Sequence, residues 1–371
     1  MSLTQRLDRV QRDHPVLGLP LAVIYKYFDD QGAYLAALIT YYGFIAIFPL
    51  FLVLSSVLGF ALQNDPQLRE QIMGTAVRQI PVLGDQIQFT GLQGSATAVT
   101  VGLLGAVYGA MGVAQAVQHT MNFTWNIPRN RRPNPFLLRA KSLLLLLTLG
   151  AFVLATTALS QLTAILGALG TTVPGSVDLV TTAGSLLIST GLYFAVSRIG
   201  IAQYVGNRTL LPGAILWALL WQGLQTVGGN LVRGYGSSGT TSTYGIFAIV
   251  LGLLLWIYLA AVVYVLCTEL NVVLAKRLYP RSLLTPMTDD VDLTAADQRA
   301  YTGMVRAQRL KGFQHVDVRF EHDGQYASAR RRERRAGDGD EEAQDAADAG
   351  QGAVPDGAGP SGDAPGGDRA R

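Results

Sequence analysis

Six apolar stretches constrain this chain more than any other feature. They run over 33–62, 96–117, 142–165, 177–196, 211–231 and 244–274, and each matches or exceeds the ~20 residues that cross a ~30 Å hydrocarbon layer. Lipid offers no partner to a backbone N–H or C=O, so such stretches must satisfy themselves as helices. The predicted fold class is therefore all-α: a polytopic membrane protein with six transmembrane helices, short amphipathic interfacial helices and a disordered cytoplasmic tail. The expected organisation is an amphipathic N-terminal segment over 1–32 and a six-helix domain over 33–278. A cytoplasmic segment over 279–335 and an acidic Gly/Ala/Asp-rich tail over 336–371 follow.

Charge supports this reading and orients it. Only 15% of residues are charged, against about 25% in soluble domains. Arg6, Arg9, Arg12 and Lys26 lie on one side with Arg129, Arg131, Arg132, Arg139 and Lys141, then Arg198, Arg208, Lys276, Arg277 and Arg281. The other side carries only Arg69, Arg78 and Arg233. The positive-inside rule then places both termini in the cytoplasm, as an even number of spans requires. The N-terminus has no signal-peptide pattern, so the first span serves as the insertion signal. Cys267 is the single cysteine, which leaves no intrachain disulfide and no zinc cluster.

Several local features carry expectations. Residues 1–30 read as one or two short helices broken at His14-Pro15 and Leu19-Pro20. Leu21, Ile24, Tyr25 and Phe28 share one side, with Lys26, Asp29 and Asp30 on the other. Such a segment either lies in the interface or packs under the bundle. Pro49, in the middle of the first span, predicts a kink, and 63–95 reads as two short amphipathic external helices. Glycines over 228–245 predict unwinding of the outer ends of spans five and six. Thr294-Ala295-Ala296-Asp297 marks a helix start, with the helix running to about Leu310. Residues 315–321 alternate as a strand would, and 336–371 should be disordered.

Polar groups inside such a bundle are the candidates for function. On span two, Gly102, Gly105, Gly109 and Gly112 form a small-residue face for close helix packing, within the chain or between copies through Gly105 and Gly109. Gln115, His119 and Asn122 continue that stripe toward the cytoplasm. On span five, Gln222, Gln225, Thr226 and Gly229 share a face that serves either interhelical hydrogen bonds or a wet route. Glu269 precedes Lys276 by seven residues, or ~10 Å; it can pair with a loop arginine, bind a proton or face a headgroup. Asn271 follows it. In the loop, Trp125, Arg129, Arg131 and Arg132 suit anionic headgroups, each cation contributing about 1 kcal/mol, and also fix topology. His14, His119, His315 and His322 are scattered, so no metal site, cofactor or metal-dependent cleavage of nucleic acid is expected.

These segments together resemble the YihY/BrkB family of bacterial inner-membrane proteins. The matching residues are Ala36-Ala37-Leu38-Ile39-Thr40-Tyr41-Tyr42 leading to Phe48-Pro49-Leu50, and the Trp125–Arg132 loop. Further matches are Leu211-Pro212-Gly213, Tyr244-Gly245, Leu255-Trp256-Ile257-Tyr258 and Glu269-Leu270-Asn271. Cys267-Thr268 stands where the family usually has small residues, a mild departure. The resemblance implies a six-helix plasma-membrane protein. Some members carry a virulence label, others a ribonuclease label that the scattered histidines here do not support, and some are connected with moving lipids. The expected function is non-enzymatic transport or flipping of an anionic lipid or other amphiphile, with membrane lipids as partners and no nucleic acid. Gln115, His119, Gln222, Gln225, Glu269 and Asn271 would line the route, and Trp125, Arg129, Arg131 and Arg132 would collect headgroups. The alternative is a non-transporting envelope scaffold or assembly protein.

Overall fold

The computed structural model describes residues 15–61, 67, 96–168, 176–236, 243–283, 285, 291 and 293–320. Among these, eight α-helices and no strand are found. They are α1 (Pro15–Asp29), α2 (Gly32–Ala61), α3 (Ala96–Thr124), α4 (Pro135–Ala168), α5 (Ser176–Gly200), α6 (Asn207–Gly236), α7 (Thr243–Lys276) and α8 (Ala295–Ala307). Each of the six apolar runs coincides with one helix from α2 to α7. Four helical segments, Pro135–Ile165, Leu179–Gly200, Asn207–Gly228 and Val250–Lys276, are long and apolar enough to cross a membrane.

Helices α2 to α7 neighbour one another in chain order, and α7 closes the circle by packing against α2. Short connections favour such antiparallel neighbours. In lipid, helices gain little from excluding water, so close van der Waals contact between small residues matters more. The α2–α3 pair shows this. A Cβ on Gly109 would lie 3.0 Å from Ala46 Cα, and one on Gly112 would lie 2.4 Å from the Tyr42 ring. Gly109 therefore already packs closely against a helix of its own chain. On the outside of the ring, Leu143, Leu147, Leu154 and Leu162 of α4 and Leu179 and Leu187 of α5 are exposed. An apolar surface this extensive belongs against hydrocarbon.

Several local expectations change. The helix α1 is not broken at Pro20, which it includes. α2 includes Pro49 without a break, which a kink there also allows. The glycine-rich end of span five is not unwound at Gly228, because α6 continues to Gly236 and Gly228 lets the Trp256 ring pack where a Cβ would stand, 2.3 Å away. Residues 315–320 form no strand; a lone alternating segment has no partner to complete its ladder. α8 begins as predicted, with a capping box in which Thr294 and Asp297 satisfy each other's backbone N–H. The external amphipathic helices proposed for 63–95, the arginine run 330–335 and the tail 336–371 lie outside the described residues.

Candidate functional site

One end of the bundle gathers α1, the α3–α4 loop, the α5–α6 loop, the last turns of α7, and α8. Helix α1 faces this end inside out. Ala22, Lys26 and Asp30 are buried at four-residue spacing, while Pro20, Ile24 and Phe28 are exposed at the same spacing. A soluble surface helix would bury the apolar set and expose the charges. The reversal requires a polar interior at this end and an apolar medium outside it.

That interior is a cluster of ionisable groups. Lys26 is completely buried and donates to Asp30; its Nζ also lies 3.7 Å from Glu269 Oε2 and 3.5 Å from the Thr124 carbonyl. Asp30 and Glu269 are likewise at 0% exposure, and their carboxyl groups are within side-chain hydrogen-bond reach of each other. Lys276 Nζ donates to the Trp125 carbonyl at 2.6 Å. Burial alone would push the Lys26 ammonium down, but Glu269 and Asp30 outweigh it and hold it above its ordinary value. Burial raises the Asp30 carboxyl, which Lys26 only partly offsets. The sequence suggested a loop arginine as the partner of Glu269. The tertiary structure supplies Lys26 instead, because α1 packs against α7.

A second node lies beside the first. Arg281 is fully buried and donates to Asp297, and also to Asp29 at 3.0 Å. Tyr25 and Tyr301 flank its guanidinium at 5.9 and 5.4 Å. Asp297 accepts further from the backbone N–H groups of Ser282 and Thr294, at 3.0 and 2.9 Å. The planar guanidinium fork suits two carboxylates at once. It ties α1 to α8 through the segment after α7. Burial raises the Asp29 carboxyl, with Arg281 partly countering it.

One face of α3 carries the exposed residues Leu104, Tyr108, Gln115 and His119. Arg132 and Arg129, in the loop just beyond, are close enough to bear electrostatically on His119. Arg129 and Arg131 are exposed; Arg132 is half-buried and donates from Nε to the Ile127 carbonyl at 3.2 Å. Trp125 is buried among the core residues, so its ring is held inside the loop and is not presented at the surface. Asn122, farther along the same side of α3, is buried; it donates to the Gly200 carbonyl and accepts from Ala202 N–H at 2.8 Å.

The remaining sequence candidates face inward. Gln222 Oε1 accepts from Ser185 at 3.4 Å, and Gln225 is half-buried on the same helix. Asn271 bonds to the α6 backbone on either side of Pro212, which has no N–H of its own to donate. Its Oδ1 accepts from Gly213 N–H at 2.7 Å and its Nδ2 donates to the Leu210 carbonyl at 3.3 Å. Gly213 makes room for this, since a Cβ there would lie 2.4 Å from Asn271 Nδ2 and from the Cys267 carbonyl. Nothing in the sequence joins Lys26, Asp30, Arg281 and Asp297 into a set. Lys26 and Asp30, four residues apart, left a local signal, as did Asp297 in the capping box.

No curated protein and no solved structure matches the chain. The model of the family described as Virulence factor BrkB matches residues 23–291, a stretch that holds Lys26, Asp29, Asp30, the α3–α4 loop, Glu269 and Arg281. With its exposed apolar helices and this match over most of its length, the chain is a membrane protein that belongs to the virulence factor BrkB family.

Proposed function

We propose that the protein threads the bacterial plasma membrane six times, with its charged end and both termini in the cytoplasm, and moves an anionic lipid or other amphiphile across the bilayer. The observation that carries this reading is the exposure of Gln115 and His119 on one face of α3, beside Arg129 and Arg132. Polar side chains turned to hydrocarbon without partners are costly. A headgroup moving along this face would satisfy them, while its acyl chains stay in lipid past Tyr108 and Leu104. Arg129, Arg131 and Arg132 would gather the headgroup by charge, and Gln115 and His119 would donate hydrogen bonds along the way. No covalent chemistry is needed, and without a nucleotide-binding loop in the sequence the movement is passive or ion-coupled.

Translocation of a fluorescent anionic phospholipid in vesicles holding the purified protein tests this. The Gln115→Leu/His119→Leu double variant should slow it by about tenfold or more, as expected for two lost hydrogen bonds at about 1 kcal/mol each. An unchanged rate in a normally folded double variant rejects the α3 route. The second reading, a non-transporting scaffold, is favoured by the way Gln222 and Asn271 are taken up in interhelical hydrogen bonds. Absence of translocation by the unaltered protein would select it.

A further inference from the structure

The buried cluster under α1 has more acceptors than donors where its two carboxyl groups meet. Asp30 and Glu269 are fully buried and within side-chain hydrogen-bond reach of each other. Among the described residues, no donor satisfies Asp30 Oδ1 or either oxygen of Glu269. Lys26 gives its hydrogen bond to Asp30 and approaches Glu269 only to 3.7 Å. Lys276, the other cation nearby, is turned to the Trp125 carbonyl at 2.6 Å. Asp29, adjacent in the chain, is taken by Arg281. On the remaining side, Tyr27 lies close enough to Tyr258 and Glu269 for both to bear on it electrostatically. Two acceptor oxygens cannot face each other in a dry interior unless something with a hydrogen lies between them, and like charges this close cannot both persist.

We infer that Asp30 and Glu269 share one proton beside Lys26, making the junction of α1 and α7 a proton-binding site. One proton on two carboxyl groups leaves one negative charge beside the Lys26 ammonium, while the Lys276 ammonium is engaged by the Trp125 carbonyl. Loss of the proton would leave two buried carboxylates sharing the one ammonium that reaches them both. The pair titrates as a unit, so its apparent affinity belongs to both residues. Burial, which raises the Asp30 carboxyl, works in the same direction. The inference does not depend on what the protein moves, since it rests on α1 and α7 and not on the exposed face of α3.

Infrared difference spectroscopy of the full-length protein in phospholipid vesicles, titrated with acid and base, reads such a proton directly. The expected result is a protonated-carboxyl C=O band that persists at pH values well above the ~4 of a free carboxyl group. Carbon-13 labelling of aspartate and glutamate side-chain carboxyls, in separate samples, assigns it in the unaltered protein. Each label should shift part of the band, as a shared proton requires. Asp30→Asn and Glu269→Gln should each abolish the band, because either change leaves one carboxylate facing one ammonium. Absence of the band in the unaltered protein overturns the inference. So does its survival in both variants, or insensitivity to both labels.

Discussion

At the scale of single residues, this membrane domain is held by polar groups that answer specific backbone defects and specific charges. Asn271 is the clearest case. α6 runs unbroken through Pro212, and Asn271 bonds to the Gly213 N–H and the Leu210 carbonyl on either side of it. Gly213 is required because a Cβ would collide with the Asn271 side chain and the Cys267 carbonyl, both 2.4 Å away. Asn271→Ala should therefore lower stability by about 1–3 kcal/mol for each backbone group left buried and unpaired, seen as a drop in unfolding temperature in detergent. If thermal unfolding is unchanged, the backbone at Pro212 finds other partners. The spacing from Pro212-Gly213 to Asn271 carries no hint of this contact, since residues so far apart in the chain meet only when α6 and α7 are packed.

At the scale of elements, α1 is the informative one, because it turns its charges inward and Ile24 and Phe28 outward. The apolar edge then belongs in the membrane interface. A Phe28→Trp variant should show tryptophan emission quenched by lipids brominated in the acyl chains, measured against the unaltered protein as background. Quenching by aqueous iodide alone would place this edge in water. The inward edge gives α1 a pH dependence with a definite sign. Asp29 and Asp30 both hold their protons more tightly when docked than when free, mainly through burial, and Lys26 also holds its proton more tightly when docked. A raised folded-state value means stability that is fully present below the free value and lost as pH rises through the docked one. For the two aspartates that window opens near pH 4. Docking of α1 should therefore weaken from mildly acidic to neutral pH. Hydrogen–deuterium exchange, corrected for its intrinsic pH dependence, should show α1 better protected at about pH 5 than at about pH 8. The opposite trend would contradict these shifts.

At the scale of the whole molecule, the six helices form a ring in chain order, α7 closing on α2, with charge gathered at one end. In the proposed topology, the uneven arginine distribution orients that ring with both termini in the cytoplasm. Reporter fusions at either terminus should be active only for cytoplasmic reporters, and a fusion in the α6–α7 connection only for periplasmic ones. A periplasmic terminus would invert the orientation and remove the cytoplasmic headgroup rim from the transport reading.

The sequence by itself determined the helices and their apolar character, because lipid immersion forces an unbroken run of apolar residues and leaves helix as the only backbone solution. The start of α8 was legible for a similar reason: a capping box is complete within four residues. Local pattern misled where packing outweighed propensity, as at Gly228, which stays helical because Trp256 needs the space a side chain would fill. The amphipathic pattern of α1 was legible too, but which side faced inward was not. That choice depended on Glu269 and Arg281, hundreds of residues away, presenting opposite charges at the same end of the bundle. Only the tertiary structure decided it, since a buried charge is tolerated only where its counter-charge has already been brought within a few ångströms.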